Sequence, residues 1–196
     1  MEEGDLVGIR DLVKAKLFDS KGTHVGHLQD LAIKRDLSSP EVTSLGAHLE
    51  WTDRVGDIEL VRRAEDVVVL IPWSQVSAVD EEAMRLKGKH PELPMESAEH
   101  RWLVRADLLN EQMVDPNGAR IQRVDDVLMK YAGGRLIVVG LEASGGMLLT
   151  SPSIRHFIGD LKKKYGVTYD EDIVPWESIE RVEEESIVIR DVFKVD

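Results

Sequence analysis

The chain says the same thing twice. Leu17-Phe18-Asp19-Ser20-Lys21-Gly22 opens a stretch that continues through Val25, Gly26, Leu28, Asp30 and Leu31, and 96 positions later Met113-Val114-Asp115-Pro116-Asn117-Gly118 opens another through Arg120, Val124, Asp126 and Val127. Each copy later carries Pro followed by Trp, as Ile71-Pro72-Trp73 and Val174-Pro175-Trp176. A repeat of this length is a domain-sized unit rather than a turn of a solenoid. The 196 residues therefore divide into two copies of one small module, and whatever the protein does must be built from that module.

Local chemistry predicts β-structure throughout. Asp19 and Asp115 start Asp-x-x-Gly turns in which the carboxylate accepts backbone hydrogen bonds and Gly22 or Gly118 takes the left-handed conformation. Apolar stretches on both sides make each turn a hairpin. Alternation fails around Gly26, which predicts a bent or bulged strand there. Further strands are expected at Val42–His48 and its counterpart Leu136–Glu142, at the continuous apolar run Val67–Ile71, and at Met84–Lys87 and Ile187–Arg190. The spacing between equivalent residues grows from 96 to 103, so the second copy holds a net insertion of seven. Ser151 as cap, Pro152 at the first helical position and Gly166 as terminator predict a helix over about 152–165 in that region. Ile154, Phe157, Ile158 and Leu161 form its apolar stripe, which must be covered by its own module, by the other copy or by a partner. The resulting division is a first domain at 5–87, a Pro-containing linker at 88–101 and a second domain at 102–196.

The charge narrows the function. With 37 acidic against 25 basic residues the net charge is −12, which disfavours direct DNA binding, since that depends on a basic footprint. The chain has no cysteine and hence no disulfide framework or thiolate chemistry. No apolar run is long enough to span a bilayer, and the acidic start Met1-Glu2-Glu3-Gly4-Asp5 does not resemble a signal peptide, so a cytoplasmic location is expected. No P-loop, Gly-x-Gly-x-x-Gly or Gly-x-Ser-x-Gly occurs, so no enzymatic activity and no cofactor are expected.

The paired phrases resemble the PRC-barrel family, shared by the photosynthetic reaction-centre H subunit and the C-terminal half of the ribosome maturation factor RimM. The resemblance rests on the apolar pair, Asp-x-x-Gly, the following stretch with Val25, Gly26, Leu28 and Asp30 or Gly118, Arg120, Val124 and Asp126, and the closing Pro-aromatic pair. Gln122 departs from the pattern where the first copy has Gly26, which bears on the local bend. The fold implied is mainly β: two tandem small PRC-like β-barrels, with one α-helix inserted in the second. A tandem pair of this kind is similar to the cytosolic N-terminal region of MgtE-type magnesium transporters. That resemblance implies a non-enzymatic protein-interaction and regulatory module, with a protein partner or downstream transporter domains to dock on, and with a homodimer open as an alternative. The other function weighed is a RimM-like adaptor that docks on a ribosomal protein, although a second PRC copy stands where such a chain should carry a different N-terminal barrel.

The candidate sites follow. Trp73, Trp176 and the stripe Ile154, Phe157, Ile158 and Leu161 are the partner-binding candidates; the competing reading of the tryptophans is that each covers the open end of its own barrel. Trp51 and Trp102, unmatched between the copies, are expected at an interface. Asp19, Gly22, Gly26, Asp30, Asp115, Gly118, Asp126, Pro72 and Pro175 read as structural turn and motif residues, with Asp30 and Asp126 as hydrogen-bond acceptors. No metal site is assigned. Asp170, Asp172 and Glu184 are the acids a hard cation would use if one bound, and His24 and His27, three apart on a strand, point to opposite faces.

Overall fold

The computed structural model describes residues 1–38, 40–55, 58–63, 69–89, 92–143 and 173–190, the segments 50–55 and 58–63 through their backbone only. The fold is mainly β. Short elements open the chain: strand β1 (Leu6–Gly8) and the helical turn α1 (Ile9–Leu12). The first copy then runs through β2 (Lys16–Phe18), β3 (His24–Lys34), β4 (Val42–Val55), β5 (Ile58–Arg63), β6 (Val69–Pro72), a 3-10 turn at Trp73–Gln75, β7 (Val76–Val79) and β8 (Ala83–Leu86). A second lead segment follows, with β9 (Arg101–Leu103) and a wide helical turn at Val104–Leu108. The second copy supplies β10 (Gln112–Val114), β11 (Arg120–Arg123), β12 (Asp126–Ala132), β13 (Arg135–Glu142), β14 (Ile173–Pro175), a 3-10 turn at Trp176–Ser178, β15 (Ile179–Val182) and β16 (Ser186–Ile189). The helix expected over 152–165 lies outside the described residues, as do Ile154, Phe157, Ile158, Leu161, Asp170 and Asp172.

The turns form as their chemistry dictates, and they form identically. Asp19 Oδ1 accepts from the amides of Lys21 and Thr23, and Asp115 Oδ1 from those of Asn117 and Ala119. Lys14 donates its amide to Leu28 O at 2.8 Å, and Asn110, its equivalent, donates to Val124 O at 2.9 Å. Both residues are left-handed, with φ of 82° and 66°. In each copy the strand after the lead segment pairs parallel with the last strand, Leu17 opposite Met84 and Met113 opposite Ile187.

Two features depart from a pair of self-contained modules. The lead segments are exchanged. β1 pairs antiparallel with β12 of the second copy, Val7 opposite Met129, while β9, which introduces the second copy, pairs with β3 of the first, Ile33 opposite Trp102. The copies also differ in sheet structure. The first forms one eight-stranded sheet, β5-β4-β3-β2-β8-β7 with β6 joined to β4 and β9 to β3, whereas the second forms two four-stranded sheets, β1-β12-β13-β14 and β11-β10-β16-β15. The difference centres on one position. β3 is continuous and pairs with β4 from Ile33 back to Gly26, opposite Leu49. Gly26 has φ 144°, and a Cβ there would lie 2.1 Å from His48 O. With Gln122 at the equivalent place that approach is unavailable, and the strand is divided into β11 and β12. Among the described residues the pairings close neither copy into a barrel.

The core ignores the boundary between copies. Equivalent pairs such as Leu12 and Leu108, Leu28 and Val124, Ala47 and Leu141, and Leu86 and Ile189 are all buried and belong to one continuous apolar cluster. The connection between the copies is fastened to the first. Leu93 is buried, Glu96 donates its amide to Leu70 O at 2.8 Å, and the Glu96 carboxylate binds Arg101 at 2.9 Å while accepting from Ser44 Oγ at 2.7 Å. Arg101 also donates to Thr43 Oγ1 and Ser44 Oγ.

Candidate functional site

The residues that recur in the sequence meet at the junction between the copies. Asp30, on β3, is buried and turns its carboxylate toward the start of the helical turn at 104–108. Oδ1 accepts from the amide of Arg105 at 2.7 Å and Oδ2 from that of Ala106 at 3.0 Å, with Leu31 adding a local bond at 2.7 Å. Asp126, on β12, does the reciprocal thing: Oδ1 accepts from Arg10 at the start of α1, at 3.3 Å, and from Val127 at 2.8 Å. The carboxylate lies so close to the chain at Gly8 that a Cβ there would sit 2.1 Å from Oδ2. The repeated aspartate of each copy thus satisfies amides that begin a helical turn and have no helical partner of their own, in the lead segment of the other copy.

Burial outweighs those bonds in setting the acidity of both groups. Desolvation, the largest influence, raises the Asp30 carboxyl above its ordinary value of 3.8 against the lowering effect of the Arg105, Leu31 and Ala106 amides, and it raises Asp126 likewise. Between 3.8 and the raised folded value, the native state holds the Asp30 proton more tightly than the unfolded chain. Asp30 therefore favours folding at the acid end of that window, and this contribution fades as pH rises through the folded value. An Asp30→Asn chain should lack the decline. Its unfolding free energy, followed by urea denaturation across the acid range, should climb more steeply with pH there than that of the parent, and parallel profiles would refute the proton linkage.

The tryptophans are reciprocal too. Trp73 Nε1 donates to Gly134 O at 3.0 Å, in the turn between β12 and β13, and Trp176 Nε1 donates to Leu37 O at 2.9 Å, between β3 and β4. They are 8% and 2% exposed, so their faces are used up inside the chain: each turn packs on a strand of its own copy, while its indole N–H reaches the other. Pro72 and Pro175 close the strands that lead into them and pair with Ser44 and Gly140. Trp102 packs edge-on against Trp176, with ring centroids 6.5 Å apart, so this unmatched tryptophan does stand where the copies meet. The side chain of Trp51 lies outside the described residues. Around the indoles, Val138 donates its amide to Pro40 O at 2.9 Å and Arg135 reaches Glu41 at 3.1 Å. Replacing Trp176 by Phe should keep most of the packing and remove one buried bond, costing about 1 kcal/mol in urea unfolding.

The remaining candidates are dispersed. His24 packs edge-on against Phe18, whereas His27 faces His48 on the neighbouring strand, with centroids 5.1 Å apart, and approaches Gln29 Nε2 at 2.8 Å. The His27–His48 pair was not apparent in the sequence because the register of β3 on β4 creates it. Glu184 is exposed near Arg35 and Trp102. Among the described residues no group of three or more metal-ligating side chains is drawn together, and no helix is long and apolar enough to cross a membrane.

No family model matches this chain, and none of the curated proteins matches it.

Proposed function

We propose that the chain is a non-enzymatic interaction and regulatory module, made of two PRC-type barrels and related to the N-terminal region of MgtE-type magnesium transporters. In this reading it works in the cytoplasm by docking on neighbouring transporter domains. One observation carries the reading. The polar groups that recur in both copies, Asp19 and Asp115, Asp30 and Asp126, Trp73 and Trp176, are committed to backbone groups of the chain itself. A motif whose recurring residues hold the scaffold together leaves function to the surface that the scaffold presents.

Cross-linking of the tagged full chain in its native cells, under magnesium-replete and magnesium-poor growth, tests this. Cross-links to a polytopic magnesium transporter are the expected result. Cross-links to a ribosomal protein would replace the reading with the RimM-like adaptor, and neither would overturn both. Unfolding in MgCl₂ against CaCl₂ and ionic-strength-matched NaCl separates docking from direct ion sensing, because a ligand bound only by the native state stabilises it by RT ln(1 + [L]/Kd). A Mg²⁺-selective rise would direct attention to Asp170, Asp172 and Glu184.

A further inference from the structure

A cavity of about 240 Å³ opens where the two exchanged helical turns come together, lined by Ile9, Arg10, Val13 and Lys14 from one and by Arg105 and Leu109 from the other. Ile9 and Arg105 are equivalent positions in the repeat, as are Val13 and Leu109. The cavity therefore belongs to neither copy and exists only because the lead segments are exchanged. Its composition runs against the rest of the molecule. In a chain of net charge −12, three cations surround one opening. Arg10, Lys14 and Arg105 are exposed, and among the described residues none of the three side chains is in an ion pair or a hydrogen bond. Arg101, Arg135 and Arg181, by contrast, are each engaged with a glutamate. The buried acids nearby are spent elsewhere: Asp30 and Asp126 direct their oxygens at backbone amides and contribute only weak attraction to Arg105 and Arg10.

Lys14 adds a second, independent sign. It holds a left-handed φ of 82°, a conformation that costs an ordinary side chain on the order of 1 kcal/mol, where the other copy uses Asn110, a residue that tolerates it. A lysine at a strained position on the rim of a cationic cavity is a functional pointer. The chemistry that fits follows from the lining. Two guanidinium forks match the oxygens of a phosphate, a lysine adds a point charge, and the half-buried Val13 and Leu109, backed by the fully buried Ile9, take carbon. The volume lies below the roughly 300–1,000 Å³ of drug-sized sites and limits the ligand to a few heavy atoms beyond the phosphate.

We propose that this cavity binds a small phosphate monoester, with its phosphate held by Arg10, Lys14 and Arg105 and its carbon portion on Val13 and Leu109. Occupancy bridges the two exchanged segments and so braces the junction of the copies.

Phenyl phosphate is the probe, applied to the full chain by calorimetric titration and thermal unfolding. Saturable binding is expected, tighter than for inorganic phosphate, with a rise in Tm beyond that given by NaCl at matched ionic strength. Lys14→Asn, which installs the residue tolerated at the equivalent position, and Arg105→Gln should each weaken binding about tenfold or more. Lys21→Gln, in the exposed turn after β2, should leave it unchanged. Affinity unaltered in both cavity variants, or a Tm rise that NaCl reproduces, would overturn the site. Sedimentation with phosphatidylcholine vesicles, with and without phosphatidate, separates the sources of phosphate. Retention on phosphatidate without binding of phenyl phosphate would reassign the cavity to a lipid headgroup and overturn the free-ligand proposal.

Discussion

Replacing Gly26 by alanine should remove about 4 kcal/mol of unfolding free energy, while the same change at Gly118 should remove about 1 kcal/mol. Both glycines have positive φ, 144° and 84°, so both substitutions strain the backbone. They differ in what the new methyl group meets. At Gly118 nothing lies within 4 Å of it, whereas at Gly26 it falls 2.1 Å from His48 O and 2.9 Å from Leu49 Cα. Those neighbours are backbone atoms of β4, and they cannot move without disturbing the ladder between β3 and β4. A loss of about 4 kcal/mol is a large share of the 5–15 kcal/mol typical of a domain. Urea denaturation of the two variants decides the matter: equal losses would mean that φ, not the approach of β4, governs position 26.

The second large effect is expected at Asp30. Asp30→Ala leaves the amides of Leu31, Arg105 and Ala106 without their carboxylate acceptor. Removing a buried carboxylate relieves its desolvation, which offsets part of the loss. Three amides at roughly 1–3 kcal/mol each outweigh that relief, for a net cost of about 3 kcal/mol. Asp126→Ala should cost less, since its bond to the other copy is a single contact at 3.3 Å. Hydrogen exchange supplies the discriminating measurement, because loss of the cap should free the Arg105 and Ala106 amides well before the core opens. Undiminished protection at those two amides would rule out Asp30 as their cap.

The parts of this structure that were legible in the sequence are those whose partners are near in the chain. The Asp19 and Asp115 turns are complete within five residues, and each forms as its Asp-x-x-Gly pattern dictates. The strands at Val42–His48 and Leu136–Glu142 follow from apolar composition alone, and the structure extends or matches them. Asp30 and Asp126 could be recognised as acceptors, but not which donors they serve, because those lie 75 and 116 residues away. Exchange of the lead segments was hidden for a more basic reason. When two copies carry equivalent segments, pairing within a copy and pairing across copies bury the same kinds of residue, and no pattern of hydrophobicity separates them. The cationic cavity was invisible for the same reason: Arg10, Lys14 and Arg105 look like ordinary solvated charges until the exchange brings them to one opening.

The exchange also sets an order of events during synthesis. The strand at Leu6–Gly8 leaves the ribosome well ahead of its pairing partner, centred on Met129, which is made more than a hundred residues later. At about 5–20 residues per second, the nascent chain waits on the order of ten seconds with that strand unpaired. The first copy, meanwhile, lacks the strand at Arg101–Leu103 that will lie along its own β3. Neither half can mature before the other exists, so the two reach their final form together, and an apolar edge on β3 stays open to chaperones until then.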